Sequence, residues 1–142
     1  MIIFDLDNTL RHTADDQPHT PFAHGTCHKD QTNWVQWQHF ANENGQPIER
    51  MVQFYELMHT VTDTIYIVTS SQFGTAEWLD SFDITQPDVI CERKPGDNHS
   101  GLAYKKNYID MWVECITLWV DDCTETCDYV ESLGIPVVRV KL

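Results

Sequence analysis

The sequence predicts an α/β domain with a doubly wound parallel sheet, and three observations carry that prediction. From Thr64 onward, strand-like and helix-like stretches alternate. The strand-like stretches Thr64-Ile65-Tyr66-Ile67-Val68-Thr69 and Ile116-Thr117-Leu118-Trp119-Val120 are nearly continuous apolar runs, the pattern of strands covered on both faces. Three such runs end in polar residues: Asp5-Leu6-Asp7 after Met1 to Phe4, Thr69-Ser70-Ser71, and Asp121-Asp122. Open α/β sheets bind ligands beyond the carboxyl ends of their strands, so these termini, far apart in sequence, point to one common site.

Taken in order, the chain opens on a buried strand, Ile2-Ile3-Phe4, that stops at two aspartates one residue apart. From Arg11 to Gln31 the segment is polar, holds Pro18, Pro21 and Gly25 and has no apolar period; it reads as an extended loop across the mouth of the site. A helix is expected from Thr32, with Trp34, Trp37, Phe40 and Ala41 on one stripe, until Gly45 stops it. Pro47 is expected to open a second helix carrying Ile48, Met51, Phe54, Tyr55 and Met58. After the strand 64–69 come a helix over 71–81, weakened by Gly74, a short strand over 88–91 and a loop over 92–101. A helix over 102–113, the strand 116–120, a helix over 124–133 stopped by Gly134, and a last strand over 136–140 complete the pattern.

At 142 residues, 42% of them hydrophobic, the chain can bury one core and is expected to be a single domain, 1–142, with a small helical and loop cap inserted over about 11–46. No apolar run approaches the roughly 18 residues of a membrane span. Met1 to Phe4 lacks a basic flank and meets Asp5 too soon for a signal peptide, so a cytoplasmic protein is expected. The five cysteines, with no Cys-x-x-Cys, suit reduced thiols better than a disulfide framework. His24, Cys27 and His28 cluster in the loop, but a fourth zinc ligand and a recognised spacing are missing. With 22 acidic residues against 9 lysines and arginines, net charge −13, the chain is not expected to carry an extended nucleic-acid surface.

Side chains alternate along a strand, so Asp5 and Asp7 can share a face at the end of the first one. Paired carboxylates repel unless a cation, a proton or a hydrogen-bond donor offsets them. Mg²⁺ fits best, because this hard ion is held by one or two carboxylates together with water and substrate phosphate. Asp121 and Asp122 at a second strand end supply further acidic oxygens, although Asp122 at the start of a helix reads equally as its N-cap.

The wording D-x-D-N-T-L over Asp5 to Leu10 resembles motif I of the haloacid dehalogenase (HAD) superfamily of phosphatases. The resemblance implies Asp5 as nucleophile, Asp7 as general acid/base, Thr69 as the phosphate-binding hydroxyl of motif II, Lys105 as the motif III lysine and Asp121-Asp122 as the metal-binding pair of motif IV. Lys106 is the alternative to Lys105, and Thr69 alternatively caps the following helix. Arg93-Lys94-Pro95-Gly96-Asp97, with Tyr104-Lys105 following, resembles the R-x-x-G-D pattern of the phosphatase domain of phage-type polynucleotide kinase 3′-phosphatases. Asn33-Trp34 with Phe40 is similar to the D-W-x-x-F helix of that group. By this resemblance Mg²⁺ is held by Asp5, the Asp7 carbonyl and Asp121, with Asp122 in direct or water-mediated support, and Ser70 and Arg93 bind substrate. Separately from the resemblance, Trp34 or Trp37, next to the loop, is a candidate platform for stacking a base, with core packing as the alternative. The alternative for Arg93 is a solvated loop charge.

The chain departs from that subfamily at Ser70-Ser71 in place of Gly-Arg, at His99 in place of a second loop arginine, and at Cys123 after the acidic pair. Three phosphate contacts are thereby lost, which favours a nucleotide or short oligonucleotide over a polynucleotide end. The expected activity is that of a Mg²⁺-dependent phosphomonoesterase working through an aspartyl-phosphate on a phosphorylated nucleotide or short oligonucleotide. A 5′-nucleotidase or general small-molecule phosphatase is the alternative, and a catalytically idle HAD-like binding module a more distant one. No G-x-x-x-x-G-K-[ST] loop is present, so no kinase activity is expected.

Overall fold

The computed structural model describes residues 1–14, 31–62, 64–97 and 99–142, leaving aside the side chains of 31–34. Its centre is β1 (Ile2–Phe4), which pairs in parallel with β4 (Ile65–Thr69) on one side and β6 (Leu118–Asp121) on the other. Outside these lie β5 (Val89–Glu92) and β7 (Val137–Arg139), also parallel, giving the order β5-β4-β1-β6-β7. The chain thus winds outward from β1 in one direction and returns to wind outward in the other, a doubly wound sheet whose switch point lies between β1 and β6.

Period-2 alternation sorts the core onto two faces. Ile2 and Phe4 point into a cluster with Ile65, Ile67, Val120, Tyr55 of α2 (Glu49–Val61) and Trp78 and Leu79 of α3 (Thr75–Ser81). Ile3, between them, points the other way to Val68, Trp119, Tyr104 and Ile109 of α4 (Gly101–Trp112) and Val130 of α5 (Thr124–Ser132). Ile3 and Phe4 are fully buried, as the lack of polar alternation predicts.

The segment after β1 turns sharply. Leu10 and Arg11 both donate backbone N–H bonds to the Leu6 carbonyl, at 2.8 and 2.9 Å, and Asn8 sits at φ 61°, a conformation asparagine tolerates better than most residues. The chain then forms β2 (Arg11–His12), which pairs antiparallel with β3 (Gln46–Pro47). Between them α1 (Gln31–Asn44) runs back toward the sheet and packs on α3, where His39 and Phe73 meet at 4.7 Å.

Three expectations need correction here. Arg11 and His12 are not loop, because they form a ladder with the far end of the insertion. Pro47 does not begin α2; it lies in β3, whose pairing with Arg11 removes it from the helix, and α2 starts at Glu49. The third helix starts at Thr75 and not at Ser71, because Gly74 at φ 85° breaks the run 71–74 from it. The loop expectation for 15–30, including His24, Cys27 and His28, lies outside the described residues, as does the Trp34 side chain. No helix among the described residues is long and apolar enough to cross a membrane.

Candidate active site

Asp5 directly follows β1 and continues its ladder by donating N–H to the Val120 carbonyl at 2.9 Å. Asp121 ends the neighbouring β6. The switch point of the sheet therefore brings two carboxylates together that are separated by more than a hundred residues in sequence. Lys105 enters from α4 and bridges them: its Nζ donates to Asp5 Oδ1 at 2.8 Å and to Asp121 Oδ2 at 2.7 Å. All three side chains are buried.

Both carboxylates accept further bonds. Thr9 Oγ1 donates to Asp5 Oδ2 at 3.2 Å, Trp119 Nε1 to Asp121 Oδ2 at 3.0 Å, and the Cys123 N–H to Asp121 Oδ1 at 2.9 Å. Burial pushes the Asp5 carboxyl well above the usual range; Lys105 opposes that shift, and the charges of Asp121 and Asp122 add to it. For Lys105, burial alone would lower the pKa, but the two carboxylates outweigh it and hold the ammonium protonated. Asp122, partly buried beside Asp121, is pushed up to about 6, first by desolvation and then by that neighbour.

Asp5, Asp121 and Asp122 each offer an oxygen, all within 4.8 Å of one another. Three carboxylates facing one lysine ammonium leave an excess of negative charge, and the oxygen-only donor set suits a hard divalent cation. A second observation agrees: Thr126 Oγ1 is buried without a hydrogen-bond partner, and Thr126 lines the same cavity. An orphaned hydroxyl beside a carboxylate cluster fits a hydrated ion, whose waters would satisfy it. Asp122 is not the N-cap of α5; that position is occupied by Cys123, and no side-chain cap bond is made there.

Asp7 faces the same cavity but is held differently. Arg11 grips it in a fork, Nε to Oδ1 at 2.8 Å and Nη2 to Oδ2 at 3.1 Å, and Ser71 Oγ donates to Oδ2 at 2.9 Å. The cavity, about 170 Å³, is lined by Asp5, Asp7, Thr69, Ser70, Lys105 and Asp122, with Trp37 of α1 along one wall. Thr69 is buried at the end of β4 and its Oγ1 accepts the Ser71 N–H at 3.1 Å, so it closes a local turn and does not cap α3, whose N-cap position is Gly74.

Arg93 does not line this cavity. Its guanidinium donates to the Ser70 carbonyl at 3.2 Å, to the Asp97 carbonyl at 3.1 Å and to the His99 carbonyl, and stacks on Tyr104 at 4.9 Å. Those donors tie the loop after β5 to the end of β4. A side chain 5% exposed, with Nε and Nη1 on carbonyls, is not a solvated loop charge. Lys106 points elsewhere, over the Tyr129 ring at 4.9 Å, so Lys105 alone of the pair reaches the carboxylates.

The sequence reading missed Arg11, Ser71, Thr9 and Trp119 as partners of these carboxylates. Arg11 carries a signal, since an Asp and an Arg four residues apart flank a turn-forming Asn8-Thr9, but it merges into the polar stretch that follows. Ser71 and Trp119 carried none, because their roles depend on strands adjacent only in space.

The fold and site define a doubly wound α/β domain with an acidic, lysine-bridged cavity at its switch point. Solved structures share that fold. One chain of the Pnkp1/Rnl/Hen1 complex superposes with a TM-score of 0.69 at 15% identity, covering 98% of this chain and 45% of that one. A chain of the Pnkp1/Rnl/Hen1 RNA repair complex gives 0.69 at 16% identity, covering 98% and 41%. This chain therefore spans less than half the length of either. No protein-family model and no curated protein matches it.

Proposed function

We propose that this protein is a Mg²⁺-dependent phosphomonoesterase of HAD type that works through an aspartyl-phosphate and acts on a nucleotide or short-oligonucleotide phosphate, 3′-phosphates foremost. The observation that carries the reading is one cavity holding Asp5, Asp7 and Lys105 with two strand-end hydroxyls and an acidic cluster suited to a divalent cation. The likeness to chains of an RNA repair complex supports a nucleic-acid-end substrate.

In this mechanism a carboxylate oxygen of Asp5 attacks phosphorus while the bond to the leaving oxygen breaks, and the departing electron pair takes up a proton from Asp7. Water then attacks the aspartyl-phosphate: Asp7 accepts its proton, the bond between phosphorus and Asp5 breaks, and phosphate leaves. Lys105 and the Thr69 and Ser70 end of β4 stabilise the equatorial oxygens. Mg²⁺, held by Asp5, Asp121, Asp122 and the Asp7 carbonyl, would lower the repulsion between nucleophile and phosphate. Trp37 lines the cavity and offers the wall on which the base of the leaving nucleoside stacks.

The test is a panel of nucleoside 3′- and 5′-monophosphates and 3′-phosphorylated oligonucleotides, with Mg²⁺ and with EDTA, on the wild type and Asp5→Asn. The near-isosteric amide keeps the packing but is a very poor nucleophile, so turnover should fall at least roughly a thousandfold. Hydrolysis by Asp5→Asn within tenfold of wild type, in protein free of contaminating phosphatase, would remove Asp5 from the nucleophile's role. Preference for 5′-monophosphates over every 3′-phosphate would shift the reading to a nucleotidase.

A further inference from the structure

Arg11 is among the most deeply buried large side chains of the protein, its side chain wholly inaccessible. Burying a guanidinium is costly unless its donors are paired, and here they are. Beyond the two bonds to Asp7, Nη1 donates to Asn42 Oδ1 at 2.6 Å, and Nη2 lies 3.3 Å from Ser71 Oγ. The guanidinium also sits 5.5 Å from the centre of the Trp78 ring. Asn42 is itself held, donating Nδ2 to the Phe73 carbonyl at 3.1 Å. Four elements therefore converge on one cation: β2, α1, the end of β4 and α3.

Room for the stem is built in. A Cβ on Gly45 would lie 2.6 Å from Arg11 Cδ and 2.7 Å from Cγ, so the glycine is what lets the arginine pass. By contrast, the Asp7 side chain keeps 23% of its surface exposed and opens on the cavity. Without the fork, the Ser71 hydroxyl would be the one side-chain donor left to it among the described residues, bonding a single oxygen.

We propose that Arg11 is a positioning residue: its fork fixes the Asp7 carboxylate toward the leaving-group side of the cavity, and the β2–β3 ladder, Asn42 and Trp78 fix the fork. The inference rests on the phosphomonoesterase reading, in which Asp7, protonated beside the anionic substrate, gives its proton to the leaving oxygen and the fork stabilises the carboxylate left behind. Arginine is needed because a lysine ammonium cannot make the two parallel bonds that orient a carboxylate.

Leaving groups separate this role from a merely structural one. An alkoxide must be protonated as it departs, whereas p-nitrophenolate leaves without help, and kcat/KM reports only the steps through formation of the phosphoenzyme. In Arg11→Gln and Arg11→Lys, the ratio of kcat/KM for a nucleoside 3′-monophosphate to that for p-nitrophenyl phosphate should fall about ten- to a hundredfold, within the range a general acid supplies. Combining Arg11→Gln with Asp7→Asn should lower the nucleotide rate no further than Asp7→Asn alone, since the two act through one proton. If the Arg11 variants fail to fold, Asn42→Ala, which frees Nη1 but keeps the fork's residues, should move the ratio in the same direction by a smaller factor. Equal losses on both substrates, or multiplying effects in the double variant, would overturn the role while leaving the phosphatase intact. A wild type that hydrolyses neither substrate would remove the phosphatase reading and this inference with it.

Discussion

Asp5 and Asp122 sit where burial and the charge of neighbouring carboxylates favour their protonated forms, and among the described residues Lys105 bridges Asp5 and Asp121. Protons and a divalent cation therefore compete for the same oxygens. The Asp122 carboxyl, raised from the ordinary 3.8 to about 6, is neutral below that point and ionised above it. In the folded, metal-free protein it binds more protons than the unfolded chain between those limits, so rising pH weakens folding there and leaves a charged cluster ready for metal. The rise in Tm produced by millimolar Mg²⁺ should thus be full at pH 7.5 and shrink as pH falls through 6 to 5. Thermal shifts measured with Mg²⁺ and with EDTA at both pH values check this; an increment that is the same at pH 5 would show that the metal binds away from these carboxylates.

The β2–β3 ladder and the end of α1 are the elements on which Asp7 depends. Gly45 lies between α1 and β3, donates its N–H to the Ala41 carbonyl at 2.8 Å and accepts the Trp78 indole N–H at 3.0 Å. A methyl group there would stand 2.5 Å from the Ala41 carbonyl and push against the Arg11 stem. Overpacking of this kind costs about 1 to 3 kcal/mol. Gly45→Ala should accordingly lower stability by about that amount in urea unfolding and also lower turnover in the protein that remains folded. Unchanged activity in a destabilised Gly45→Ala would show that the stem can shift without moving the fork.

At the scale of the whole molecule, charge governs how substrates approach. The chain carries a net charge of −13. Among the described residues, the cations nearest the site are already engaged: Lys105 with two carboxylates, Arg11 with Asp7, Arg93 with backbone carbonyls. Lys94 lines a separate hollow with Asp97, Tyr104 and Tyr108. A protein that neutralised a backbone would lose affinity with salt at a log–log slope of roughly −0.7 per contacted phosphate of a single strand. We expect no gain in kcat/KM as a phosphorylated substrate lengthens from one nucleotide to about ten, and a slight improvement for the longer ones when salt screens repulsion. Steady-state kinetics across that series at low and high salt is the measurement; a hundredfold gain with length that salt abolishes would reveal a basic groove.

The local order of residues by itself determined the sheet and the position of its site. Continuous apolar runs of five or six residues, rich in β-branched and aromatic side chains, read as strands covered on both faces, and polar residues at three strand ends mark the edge where ligands bind, so Asp5, Thr69 and Asp121 were legible before any coordinates. Lys105 and the metal-suited pair came from resemblance to a family pattern, and the structure brings Lys105 within hydrogen-bond reach of both Asp5 and Asp121. Only the tertiary structure decided what each charge is paired with. Arg93 and Arg11 are both loop-flanking arginines in sequence, yet one turns to carbonyls and the other to Asp7. Pairing of that kind is a long-range property: Asn42 and Ser71, which complete the Arg11 and Asp7 network, are 31 and 64 residues from their partners. Trp37 reaches the cavity because α1 is pinned by the β2–β3 ladder, whose two short strands carry no periodicity for a sequence to display. Short polar strands and buried ion pairs draw their stability from neighbours that the chain brings together only on folding.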